Sequence, residues 1–99
     1  MEHNGFYSYL AATATAAEYY TTTAANEVIE FAVGSKPIAL NAMLIENCGD
    51  ATMYVELNAS GYALCIPAGE AREISAITVS KIKVIGNAGQ KLRYSGMVV

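Results

Sequence analysis

The chain has 99 residues, enough for one modest hydrophobic core, with 54% hydrophobic and only 15% charged residues. High hydrophobicity with so little charge excludes a disordered chain, and a net charge of −3 gives no electrostatic footing for a nucleic-acid binder. No run approaches the ~20 apolar residues of a membrane-spanning helix, so neither nucleic acid nor membrane is expected as a partner.

Residues 1–25 read as an N-terminal arm and 26–99 as the folded body. The arm holds two acids, Glu2 and Glu18, and no Lys or Arg precedes Lys36. A secretory leader would need a basic start, so the segment is expected to remain in the mature protein. Five of the nine aromatics lie here, namely Phe6, Tyr7, Tyr9, Tyr19 and Tyr20, around an Ala/Thr run that starts at Ala11. Alanine favours a helix over Ser8–Tyr20, but Thr13, Thr15 and Thr21–Thr23 lower that propensity. The segment is therefore either a short docked helix or an extended arm, and the extended arm is preferred.

From Glu27 the pattern has period two. Ile29, Phe31 and Val33 share one side, and a Gly34–Pro37 turn follows. Ile38–Asn47 is so apolar that both faces are expected to be covered. After Asn47–Asp50, Met53, Val55 and Leu57 point inward while Tyr54 and Glu56 point out. Asn58–Gly61 turns the chain, and Tyr62, Leu64 and Ile66 form the next inward row. Pro67–Gly69 stops that strand, and Glu70–Ile74 is a short return. Ile77 and Val79 share one face, then Ile82 and Val84, with a parity change near Ser80 that needs a bulge or bend. Gly86–Gly89 reads as a hairpin turn, and Leu92 and Tyr94 follow before Gly96 interrupts.

Turns at ~8–12-residue spacing, with no helical period between strands, predict an all-β fold. The specific expectation is a small antiparallel β-sandwich, jelly-roll-like, of about seven or eight strands.

Chemistry is thin. The only histidine, His3, sits at the terminus, and neither Cys48 nor Cys65 has a base to activate it. The cysteines, seventeen positions apart, form no zinc knuckle, and both are expected as reduced, mostly buried thiols, with a Cys48–Cys65 bridge as the alternative in an oxidising compartment. Glu27 with Glu30, and Glu70 with Glu73, fall on opposite strand faces rather than converging. Asn47 and Asp50 are too few for a calcium loop. Gly86–Gly89 lacks the Lys-Ser/Thr of a phosphate loop. No catalytic residue, metal site or cofactor is expected, and the chain is read as a non-enzyme.

Five of the six bases lie between Arg72 and Arg93. Lys81, Lys83, Lys91 and Arg93 are expected to share the solvent face of two neighbouring strands, as an ordinary solvated face or as a basic surface for the acidic arm of another copy. Together with Phe6, Tyr7, Tyr9, Tyr19 and Tyr20 they form the candidate interface. Aromatics offer large contact area at small entropic cost, so a homo-oligomer is expected.

The stretches Ile45-Glu-Asn-Cys-Gly-Asp50, Met53-Tyr-Val-Glu-Leu-Asn58, Ile66-Pro-Ala-Gly-Glu70 and Ile82-Lys-Val-Ile-Gly86 with Lys91-Leu-Arg-Tyr94 resemble small structural proteins of tailed-bacteriophage virions. The resemblance spans residues 28–95. Pro-Ala-Gly-Glu turns also occur in cupins, but a cupin site needs a cluster of inward His and Glu ligands, and residues 26–99 contain no histidine. The resemblance implies a virion protein on the capsid surface or at the head–tail or tail junction, made and assembled in the bacterial cytoplasm. Its partners would be copies of itself and other virion proteins such as the major capsid protein. The alternative is a carbohydrate- or cell-surface-binding module that recognises its ligand through Tyr54, Tyr62 or the loop tips.

Overall fold

The computed structural model describes the backbone of residues 6–8 and the whole of residues 19–99. Among the described residues eleven strands follow one another: β1 (Phe6–Ser8), β2 (Tyr20–Thr21), β3 (Glu27–Glu30), β4 (Ala32–Val33), β5 (Lys36–Pro37), β6 (Leu40–Asn47), β7 (Met53–Leu57), β8 (Ala63–Ile66), β9 (Ala71–Ile74), β10 (Lys81–Ile85) and β11 (Lys91–Val98). No helix occurs among the described residues. One sheet has the order β1-β11-β6-β9, with β2 also on β11, and the second has the order β3-β10-β7-β8. Strands β4 and β5 form a separate hairpin, and every pairing is antiparallel. The all-β expectation holds. The count exceeds seven or eight because pairings of two or three residues (β1, β2, β4 and β5) stand beside seven longer strands.

Both sheets feed one core. Leu40, Met43, Ile45, Leu92, Tyr94 and Val98 from the first meet Met53, Val55, Leu57, Ile66, Ile82 and Val84 from the second. Each such side chain contributes ~1.5–3 kcal/mol when fully buried. The Phe31 and Tyr94 rings pack at 5.4 Å between centroids, tilted by 42°.

Alternation fails where the backbone departs from a regular strand. The long apolar run of β6 is not covered on both faces. Leu40 and Met43 are both buried while Asn41 and Ala42 between them are exposed. Ala42 takes φ 49°, and the register with β11 shifts between Ser95 and Met97, so a bulge resets the parity. Strand β11 runs through Gly96 rather than stopping there. The parity change near Ser80 is present: Val79 bridges Leu40, whereas Ile82 pairs with Ile29 and Leu57 in the other sheet. The chain changes sheets at Ser80.

Several inward expectations fail at strand ends. Tyr62 is 83% exposed, and Val33 and Ile77 are also exposed, because each sits in or beside a turn where no opposite sheet covers it. Cys65 is exposed on the outer side of β8 and Cys48 is half-buried, so the two cysteines are not disulfide-bonded and not mostly buried. Gly86–Gly89 does not close a hairpin. It carries the chain from β10 in one sheet to β11 in the other, with Gly86 at φ 110° and Gly89 at φ 94°. Lys81 and Lys83 therefore do not share a face with Lys91 and Arg93.

Candidate functional site

The last strand has an edge that β1 and β2 occupy. On its inner side β11 pairs with β6, and the opposite side receives β1 and β2. Phe6 stands opposite Met97, Tyr7 opposite Gly96 and Ser8 opposite Ser95. Further along, Tyr20 stands opposite Leu92 and Thr21 opposite Lys91. Only the backbone of Phe6 and Tyr7 is described, and Tyr9 lies outside the described residues.

Residues 20–25 are bonded to the body although the sequence groups them with the arm, and Asn26 at the boundary joins them. Thr22 is buried; its amide donates to the Gln90 carbonyl at 2.8 Å, and its hydroxyl accepts the Gln90 amide at 3.0 Å. The Thr22 carbonyl accepts the Gly89 amide at 2.9 Å. Asn26 grips the same loop, donating its amide to the Gly86 carbonyl and accepting the Gly86 amide on Oδ1, each at 2.8 Å.

Glu27 closes the turn before β3. Its carboxylate accepts the Tyr20 hydroxyl, the Thr23 amide at 2.7 Å and the Ala24 amide at 3.3 Å. Burial alone would raise this carboxyl, but the Tyr20 hydroxyl and then the Thr23 and Ala24 donors outweigh it and hold it below the ordinary value.

Three of the four candidate bases, Arg93, Lys83 and Lys91, have partners within the chain. Arg93 donates to both oxygens of Glu46 on the neighbouring strand, at 2.7 and 3.2 Å, and this pairing lowers the Glu46 pKa. Lys83 lies 3.3 Å from Glu56 across β10–β7. The Gly61 amide is the main cause of the lowered Glu56 pKa, with Lys83 second. The Lys91 ammonium sits 5.4 Å from the centre of the Tyr19 ring, and Lys81 is in register with Glu30. The bases are thus split between two sheets and set against local partners, rather than gathered into one basic face for another copy's arm.

A cleft of about 600 Å³ lies between the 47–53 and 85–91 loops, with Cys48, Asp50, Asn87 and Lys91 among its lining residues. Asn47 at its base is structural: its amide nitrogen donates to the Ala51 and Ile66 carbonyls and its oxygen accepts the Gly49 amide. Among the described residues no three of His, Cys, Asp and Glu cluster as a metal site, and no helix is long and apolar enough to cross a membrane. Tyr54 is 48% exposed in the middle of β7, and Tyr62 stands out from the loop before β8.

Sequence reasoning missed Thr22, Glu27 and Gly96 as the residues that shape this edge. Gly96 carried a signal, since a glycine inside a strand pattern marks a close backbone approach. Thr22 carried none, being one of three consecutive threonines. No protein-family model, curated protein or solved structure matches the chain.

Proposed function

We propose that the protein is a non-enzymatic structural component of a phage virion, docking on the capsid or the head–tail/tail junction and assembling through its N-terminal segment. The body would be a jelly-roll-like β-sandwich acting as a rigid block. The observation that carries this reading is the attachment of the Tyr-rich N-terminus as two short strands on one edge of β11. Such an edge is a ready template for strand addition between chains. The resemblance over residues 28–95 supplies the virion setting, and capsid proteins or further copies are the partners.

Deletion of residues 2–18 tests the assembly claim while keeping Tyr20, Thr22 and Glu27. The expected result is a folded body of reduced solution mass by light scattering. A full-length chain that is monomeric at all concentrations, or a mass per assembly unchanged by the deletion, overturns it.

Exposed Tyr54 and Tyr62 favour a second reading, a carbohydrate- or cell-surface-binding module. Selective binding on a glycan array that disappears in Tyr54→Ala or Tyr62→Ala would establish that reading instead.

A further inference from the structure

We infer that β1 exchanges between copies: Phe6–Ser8 of one chain occupies the Ser95–Met97 edge of β11 in a neighbouring copy, while β2 stays on its own β11. This rests on the assembly reading and names the segment and the receiving edge. Strands β1 and β2 run in the same direction along one side of β11. Ser8 stands opposite Ser95 and Tyr20 opposite Leu92, so only Arg93 and Tyr94 separate the two attachments. A strand running straight on would bridge that gap with two residues, whereas the chain places eleven there, residues 9–19.

Nine of those residues are surplus to seating β1 on its own β11. What they add is reach. The twelve Cα steps from Ser8 to Tyr20 span up to ~40 Å when extended. The molecule measures 40 × 33 × 22 Å, so a neighbour's β11 lies within range. The two ends of the tether differ in hold. The β2 end is fastened by Tyr20 to Glu27 and by Thr22 to Gly89 and Gln90, whereas β1 is a three-residue pairing.

Exchange keeps the same backbone pairs and changes only which chain supplies them, so it costs little in hydrogen bonding. The tether permits closed and exchanged forms alike, and concentration selects between them. A tether of about a dozen residues holds its strand at an effective concentration on the order of mM, which subunits packed side by side on a particle would rival.

The test is a cysteine pair, Ser8→Cys with Ser95→Cys, in a Cys48→Ser/Cys65→Ser background, oxidised over a concentration series and run on a denaturing gel without reductant. The two positions are directly opposed, the arrangement in which a bridge can form. Exchange predicts covalent oligomers whose fraction rises with concentration. Removing residues 10–18 leaves Tyr9 and Tyr19 as the two bridging residues, and that variant is expected to give an internally bridged monomer. A full-length chain that bridges only internally at every concentration overturns exchange. If light scattering still finds an oligomer in that case, the assembly reading survives through another surface; a monomer by both measurements removes both. Absence of any bridge overturns the β1–β11 pairing on which the inference stands.

Discussion

Gly96 lies so close to Leu40 that a Cβ placed on it would sit 3.1 Å from the Leu40 Cβ. The Asn41 carbonyl oxygen and the Met43 Cα would be within 3.2 and 3.3 Å of the same atom. This glycine answers a packing demand rather than a backbone one, because its φ is not in the left-handed region. The bulge at Ala42 pushes β6 against β11 at this point, and the missing side chain lets the two strands meet.

Gly96→Ala is therefore expected to destabilise the fold by about 1–3 kcal/mol, since two of the three crowding atoms are backbone and cannot swing aside. Urea unfolding followed by circular dichroism measures it. A change below the error of the measurement would show that the bulge relaxes freely.

The turn after β7 offers a change in the other direction. Asn58 and Ala59 both have φ 56°, and the Ser60 amide donates to the Leu57 carbonyl at 3.0 Å. That is a type I′ turn, for which Asn-Gly is the favoured central pair. Ala59→Gly is expected to raise stability by about 0.5–1 kcal/mol, the relief of a left-handed alanine less the entropy of the new glycine. An unchanged or lower thermal midpoint would contradict it.

Acid should weaken the N-terminal attachment. Glu27, held by the Tyr20 hydroxyl, and Glu46, held by Arg93, both have folded pKa values below the ordinary carboxylate value. In the window between the folded and unfolded values the unfolded chain binds more protons, so their contribution is complete above the unfolded value and disappears as pH falls through the folded one. Stability is expected to decline below about pH 4.5. Glu27→Gln should flatten part of that decline, and midpoints measured across the acid range would reveal an unaltered slope if Glu27 plays no part.

The two thiols should separate kinetically. Cys65 is exposed on the outer side of β8, while Cys48 is half-buried with its sulfur 3.9 Å from the Glu46 carbonyl oxygen. Cys65 is expected to react first with a thiol reagent on the folded protein, and Cys48 more slowly. Equal rates in Cys48→Ser and Cys65→Ser would refute that order.

Local pattern alone was enough for the all-β class, most strand positions and the inward rows Met53–Val55–Leu57 and Ile82–Val84. Those depend on a two-residue alternation and on turn residues such as Asn58 and Gly69, whose preferences act over a few neighbours. The parity shift at Ser80 was legible for the same reason, since Val79 and Ile82 cannot both face inward along one regular strand.

Sheet membership was not legible that way. The Gly86–Gly89 turn is equally compatible with a hairpin or a crossing between sheets, and only the grip of Thr22 and Asn26 on that loop, some sixty residues distant in sequence, decides for the crossing. That choice put Lys81 and Lys83 on one sheet and Lys91 and Arg93 on the other. Long-range pairing likewise set Arg93 against Glu46 and laid β1 and β2 along β11, because partners are chosen by which strands the core brings together and not by their neighbours in the chain.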